Sequence, residues 1–300
     1  MLSRLLFLLT CLLPGVLRAG TVNWSNAFAS VNLTSTGVPL DSQMTFELGV
    51  FAPGFTPTAA NTAQWAANWR QAQVAFYNTS ISYFTGSYVV NSNAAPFTAG
   101  TKGYIWGHDG NCTNGEWILL SAPNWLWPTQ SPLELPVNWT VSSASQFVVG
   151  QGAGSGFAMK TASASGNLPA TSWDAWRERM FTDTQMENIS ISGPQGDPDG
   201  DGVVNLAEYA LGGNPMIAGG TAGRINASLT LSGGRQRLTL TIRKRCDRPL
   251  GWSAQASFDL VNWPGNSATL TQTAELLTAV ENISTPASTR VFLRPVFTLP

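Results

Sequence analysis

The sequence predicts a mainly β protein: two β-domains on either side of a short helical segment. Three observations point that way. Short apolar or alternating runs recur, and Gly, Pro and Asn clusters punctuate them. Charged residues make up 11% of the 300-residue chain, too few for a disordered chain, and the Ala/Glu/Lys/Leu bias of a coiled coil is missing. Twelve tryptophans supply bulky apolar side chains with little charge competing for the interior. The net charge of −1 gives no electrostatic case for nucleic acid as a partner.

The first twenty residues have the form of a secretory signal peptide. Arg4 provides a positive start, residues 5–13 are largely apolar, and Pro14-Gly15 then breaks the run ahead of Ala19-Gly20. This segment is too short to span a bilayer as a helix. Thr10 before Cys11, with apolar residues continuing beyond, does not suit a lipidated cysteine. No later run reaches eighteen apolar residues, so no transmembrane segment is expected in the mature chain. The protein is expected to be secreted, extracellular or at the cell surface, or in the periplasm. Cys112 and Cys246 then remain. They are read as buried or unpaired thiols, although an oxidising compartment permits a disulfide.

Residues 21–150 read as an N-terminal β-sandwich, jelly-roll-like, with strand-like runs at 28–33, 44–51, 81–90, 103–106, 117–120 and 146–149. One helix interrupts them. Asn61 or Thr62 can cap it, and Trp65 and Trp69 lie four apart on one face. The eight tryptophans of this section are read as core. Trp125 and Trp127, flanked by Pro123 and Pro128, are the candidates for stacking on a sugar ring. Residues 151–170, with alternating glycines at 150, 152, 154 and 156, read as a Gly/Ser/Ala linker.

Residues 171–215 carry a local net charge of −6 and residues 216–300 one of +5. A helix is expected at 173–181, capped by Ser172, with Trp173, Trp176 and Met180 on one face. A second is expected at 206–211, ending at Gly212-Gly213. The C-terminal section reads as a small β-sandwich. Leu238, Leu240 and Ile242 alternate with polar residues, and further runs lie at 252–258, 270–280 and 290–297. Arg243, Lys244, Arg245 and Arg248 form a basic cluster, read as a solvated strand end, with an anionic-glycan or membrane-surface patch as the sharper alternative.

The strongest motif occupies 197–208. Asp197, Asp199 and Asp201 place carboxylates at positions 1, 3 and 5 of a twelve-residue loop, Gly202 stands at position 6 and Glu208 at position 12. Calcium is a hard cation that takes six to eight oxygens. Val203 would offer its carbonyl, Asn205 its side chain directly or through water, and Glu208 both carboxylate oxygens. Three carboxylates within five residues repel one another unless a cation neutralises them. Ca²⁺ is therefore the expected ion, and magnesium fits less well because it demands rigid six-fold geometry and keeps its waters.

This single loop resembles the structural calcium repeats of dockerin type I and thrombospondin type 3. Dockerins usually carry two such loops, so cohesin binding does not carry over. The longer run 197–215, DPDGDGVVNLAEYALGGNP, resembles a segment of many secreted, uncharacterised proteins of environmental Gram-negative bacteria, some of which end in a PEP-CTERM sorting tail. RLTLTIRKR and SFDLVNW near the C-terminus, and FELGVF, NSNAAPFTAG and YIWG near the N-terminus, are similar to segments of that group. The resemblance implies an exported protein with a structural calcium loop. The chain ends in Phe297-Thr298-Leu299-Pro300, unlike the sorting tail.

Signals for catalysis are sparse. His108 is the one histidine, in Gly-His-Asp-Gly, and reads as a polar turn residue; no G-x-S-x-G elbow accompanies it. A glycan hydrolase needs only two carboxylates, and Glu116 is the candidate among Asp41, Glu47, Asp109, Glu116 and Glu134. The expected function is that of an exported, non-enzymatic calcium-binding structural or surface/matrix protein, the ion rigidifying the segment between its domains. The alternative is a carbohydrate-binding protein using Trp125 and Trp127. Extracellular polysaccharide or other surface proteins are the expected partners.

Overall fold

The computed structural model describes residues 20–111, 113–131, 135–163, 168–219, 221, 224–232, 235–273, 276–282 and 290–300. Residues 1–19 of the expected signal peptide, Cys112 and Glu134 lie outside the described residues, whereas Gly20, its expected last residue, is buried at the start of the first strand. Among those described, no helix is long and apolar enough to cross a membrane.

The N-terminal part runs through β1 (Gly20–Ser25), β2 (Asn32–Leu33), β3 (Thr45–Phe51), α1 (Trp65–Asn68), β4 (Trp69–Phe76), β5 (Thr85–Val90), β6 (Tyr104–His108), β7 (Gly115–Ser121), β8 (Val137–Thr140), β9 (Gln146–Val149), β10 (Gln151–Ala153), β11 (Gly156–Ala158) and β12 (Lys160–Ala162). The main sheet has the order β12-β7-β6-β3-β4, with β9 also on β7; β5-β1-β8 and β10-β11-β2 form two smaller sheets. The mainly β class predicted from alternation is thus observed, with sheets packed in layers as in a sandwich.

Strands β3 and β6 are buried on both faces. Because successive side chains point to opposite sides, each strand feeds two cores. Phe46, Leu48, Ile105 and Ile118 share one core with Trp24, Trp125, Trp127 and Trp139. Phe51, Trp106, Trp117 and Leu119 share the other with Trp65 and Trp69. All eight tryptophans of this part are buried.

Two local expectations are corrected. The helix is one turn long, and Trp69 starts strand β4 instead of continuing it. Its indole donates to the buried carboxylate of Glu47 at 2.6 Å, from a strand paired with β3. Asn61 does not cap the helix; its Oδ1 accepts from the Trp65 indole at 2.8 Å. Nor are residues 151–170 a free linker. β10 and β11 form a hairpin, β11 runs parallel to β2, and β12 pairs with β7. Pairing with strands distant in the chain overrides a local composition that reads as flexible.

The helical section comprises α2 (Trp173–Met180), α3 (Asp183–Met186), α4 (Ile189–Ser192) and α5 (Asn205–Leu211). Ser172 caps α2, accepting from the Ala175 N–H at 3.2 Å. Trp173, Trp176 and Met180 pack together with Phe181, Leu206 and Tyr209. The C-terminal part follows with β13 (Ile225–Ser232), β14 (Arg235–Arg243), β15 (Gly251–Ser257), β16 (Ala268–Gln272), β17 (Leu276–Glu281) and β18 (Phe292–Thr298). A sheet of order β13-β14-β17-β16 faces the pair β15-β18. Leu240, Ile242, Leu277 and Ala279 meet Ala254, Trp252, Leu293 and Phe297 in the small core between them.

The basic cluster is not a solvated strand end throughout, because Arg245 and Arg248 are buried. Asp247, fully buried, accepts from Arg245 Nε at 2.9 Å and Nη2 at 2.8 Å, and from Arg248 Nη1 at 2.7 Å. Arg245 also donates to the Gln43 carbonyl at 2.6 Å and to Thr45 Oγ1 at 3.1 Å, across to the N-terminal part of the chain. Its guanidinium lies against Gly110, where any Cβ would come within 2.5 Å of it and where φ is +82°. Arg248 donates to the Tyr209 carbonyl at 3.1 Å and stacks over the Tyr209 ring, and the Tyr209 hydroxyl donates to the Thr171 carbonyl at 2.5 Å. One ionic knot therefore joins all three sections. Next to it, Cys246 is disulfide-bonded, which corrects the expectation of an unpaired thiol at that position; its partner sulfur lies outside the described residues. The Cys246 N–H donates to the Gly110 carbonyl at 3.0 Å.

Burial alone would push the Asp247 carboxyl up, but the two guanidiniums outweigh it and hold the carboxyl well below the ordinary carboxylate range. Asp247→Asn leaves two buried guanidiniums without a counter-charge and is expected to cost about 3–5 kcal/mol, read by denaturant unfolding. The sign of the pH dependence follows. A depressed carboxyl contributes fully above the unfolded chain's titration, so wild-type stability should fall steeply as pH drops below about 4, and Asp247→Asn should flatten that limb.

Candidate metal centre

The acidic loop is built from its base upward. The Asn205 N–H donates to the Gly196 carbonyl at 2.8 Å, and the Leu206 N–H to that of Pro194 at 3.1 Å, closing the loop where α5 begins. The Asn205 amide donates to the Ile191 and Gly193 carbonyls at 2.7 and 2.8 Å, pinning the base to α4. Gly202 takes φ +86° at the sharp turn, a left-handed conformation suited to glycine. Helix α5 stops at left-handed Gly212, as the Gly212-Gly213 pair predicts.

The three aspartates converge. Carboxylate oxygens of Asp197, Asp199 and Asp201 all lie within 4.8 Å of one another. Loop N–H groups orient them. Asp197 accepts from Gly200 and Gly202, both at 3.0 Å, Asp199 from Asp201 at 3.2 Å, and Asp201 from Val203 at 2.8 Å and Gly219 at 2.6 Å. A carboxylate oxygen has two lone pairs, so these bonds leave acceptor capacity for a cation. Asp199 Oδ2 is buried without a partner.

Glu208 is the telling residue. It is fully buried on α5, and neither of its oxygens has a hydrogen-bond partner. Burial pushes its carboxyl up to about 8, with the charges of Asp199, Asp201 and Asp197 adding to the effect. Asp199 is raised in the same way, by burial first and by its two aspartate neighbours. Among the described residues no cationic side chain forms a salt bridge with any of the four carboxylates. The donor set is all hard oxygen, and it carries an orphaned buried carboxylate that a divalent cation would satisfy. Asn205 plays a different part from the one expected. Its amide nitrogen is spent on the loop base, while its Oδ1 is buried and unpartnered. Val203 is half-buried at the turn.

The other candidates fall elsewhere. Trp125 and Trp127 are each 1% exposed, so no sugar ring can stack on them, and the glycan assignment of these two residues is corrected. Trp125 stacks on Trp139 with ring centroids 5.6 Å apart, and Trp127 packs on Phe97 at 4.9 Å. Flanking prolines suggest loop exposure, but here the segment folds inward: the Gly103 N–H donates to the Trp125 carbonyl and the Trp127 N–H to that of Thr101. Glu116 spends its oxygens on Ser35, accepting from its N–H at 2.6 Å and its hydroxyl at 2.5 Å. His108 is not a turn residue; it ends β6, fully buried, with Nε2 3.1 Å from Glu47 Oε1. A cleft of about 440 Å³ lies between the N-terminal sheets and α2, lined by Tyr77, Tyr83, Asn78, Glu178, Arg179 and Met216 among others, with no tryptophan in its wall.

Trp125→Ala is expected to destabilise the N-terminal core by about 3–5 kcal/mol in denaturant unfolding, the signature of a buried large-to-small change. Scanned against protein-family models and searched against curated proteins, the chain finds no match, so the resemblance carried by 197–215 rests on those residues alone.

Proposed function

We propose that the chain is an exported, non-enzymatic structural or surface protein whose acidic loop holds Ca²⁺ and so stiffens the segment between its two β-domains. The observation that carries this reading is Glu208: a buried, unpartnered carboxylate on the helix that leaves a three-aspartate loop. Asp197, Asp199, Asp201 and Glu208 would hold the ion, with the Val203 carbonyl and Asn205 in the supporting positions of the loop. The ion's contribution is charge neutralisation.

The consequence for the rest of the molecule runs through α5. Glu208 and Tyr209 are neighbours on that helix. Tyr209 reaches the Thr171 carbonyl and receives Arg248, so the side of α5 turned to the ionic knot adjoins the residue that would close the ion's shell. Holding Glu208 in place therefore holds the joint between domains. Neutralised carboxylates favour that arrangement, and four mutually repelling ones disfavour it.

Calcium at about ten times its Kd should stabilise the fold by roughly 1.4 kcal/mol, and an extracellular module of this kind binds at about 10⁻⁴–10⁻³ M. Titration calorimetry with millimolar Ca²⁺ giving no heat, alongside a melting curve that chelator does not move, would sink the proposal. Glu208→Gln gives a sharper readout because its effect changes sign. In calcium it removes a charged ligand and lowers the melting temperature; in chelator it removes an orphaned carboxylate and leaves stability equal or higher, by up to about 1–3 kcal/mol. Equal losses in both conditions would mean that Glu208 is only a packing residue.

A further inference from the structure

We propose that strand β13 is a self-association edge, pairing antiparallel with β13 of a second copy of this chain about a two-fold axis centred on Ser228. This does not depend on the ion. β13 is the outer strand of its sheet, paired with β14 alone among the described strands. Its residues 225–231 are all exposed, with Leu229 at 65% and Leu231 at 78%. β17 meets β14 only over 239–243, so the outer half of the β13–β14 hairpin projects past the sheet.

A long strand edge presents a row of N–H and C=O groups ready to pair, and proteins usually blunt such edges with charge, proline or a bulge. β13 reads INASLTLS, without a charge or a proline, and its pairing to β14 runs without a bulge. The other edge of the sheet, β16, is shorter, and its Leu270 packs on the core. It offers no comparable apolar surface.

The second copy is favoured as occupant because the strand complements itself. Ile225, Ala227, Leu229 and Leu231 share one face, and Asn226, Ser228 and Thr230 the other. Turned about Ser228, Ile225 meets Leu231 of the partner subunit, Ala227 meets Leu229 of the partner subunit, and Asn226 meets Thr230 of the partner subunit. Every apolar residue faces an apolar one, and no charge lies on either strand to oppose the approach. The same patch serves both copies, so the contact closes at two.

Multi-angle light scattering on the purified protein at high micromolar concentration should give twice the chain mass, with or without calcium. Leu229→Lys with Leu231→Lys should return it to the chain mass with an unchanged far-ultraviolet circular dichroism spectrum, since both side chains are exposed in the single chain. Ser228→Cys should cross-link to its own copy on mild oxidation, and Asn226→Cys should not, because directly opposed side chains alone come close enough. A wild-type monomer, a dimer that survives the two lysines, a ladder of larger species, or absence of the Ser228→Cys link would each overturn the proposal.

Discussion

Asp247, enclosed between Arg245 and Arg248, is the interaction on which the arrangement of the three sections depends. Three ionised groups are removed from water there, and the attraction among them offsets the desolvation only because almost every donor finds an acceptor. Arg245 spends its fork on Asp247 and its remaining donors on the Gln43 carbonyl and Thr45. Arg248 divides its donors between Asp247 and the Tyr209 carbonyl. The partners come from the N-terminal sheet, from α5 and from the C-terminal part of the chain. None of the three can move without exposing a buried charge. Gly110 is part of the same constraint, since a side chain there would occupy the space of the guanidinium.

The acidic loop, which runs into the start of α5, presents a different electrostatic situation. The knot sets one carboxylate between two guanidiniums, whereas the loop brings Asp197, Asp199 and Asp201 together, with Glu208 buried on the helix that follows, and no cationic side chain is paired to any of them among the described residues. Loop N–H groups orient the aspartates but cannot cancel net charge. Helix α5 thus links an ionic site in which opposite charges meet to one in which only like charges lie together, and that contrast is the physical basis of the proposal that the second takes an external cation.

The aromatic content is used almost entirely for packing. The central strands β3 and β6 of the main N-terminal sheet are buried on both faces, and strands of that kind need bulky residues at consecutive positions, as in Tyr104, Ile105 and Trp106. This is why tryptophans flanked by prolines were misleading as a surface signal. Trp125 and Trp127 lie in an irregular segment, yet backbone hydrogen bonds from Gly103 and to Thr101 draw that segment over the core. The small C-terminal sandwich has the opposite shortage: two strands, β15 and β18, face four, and the apolar face of β13 lies beyond their reach.

Features governed by near neighbours were legible in the sequence. Alternation in 238–243 located β14, Ser172 marked the start of α2, and the spacing of Asp197, Asp199, Asp201 and Glu208 described a loop whose aspartates do converge. Features governed by distant partners were not. The run 69–76 became a strand because β3 lies beside it, residues 151–162 left the linker class because β2 and β7 pair with them, and Arg245 and Arg248 left the solvent because Asp247 and the carbonyls of Gln43 and Tyr209 receive them. The sequence by itself determined the class of fold and the carboxylate spacing of the loop, since hydrophobic period and local turn chemistry act within a few residues. Which polar residues are buried, and what they hold together, only the tertiary structure decided, because the stability of a buried charge depends on groups that the chain brings to it from far away.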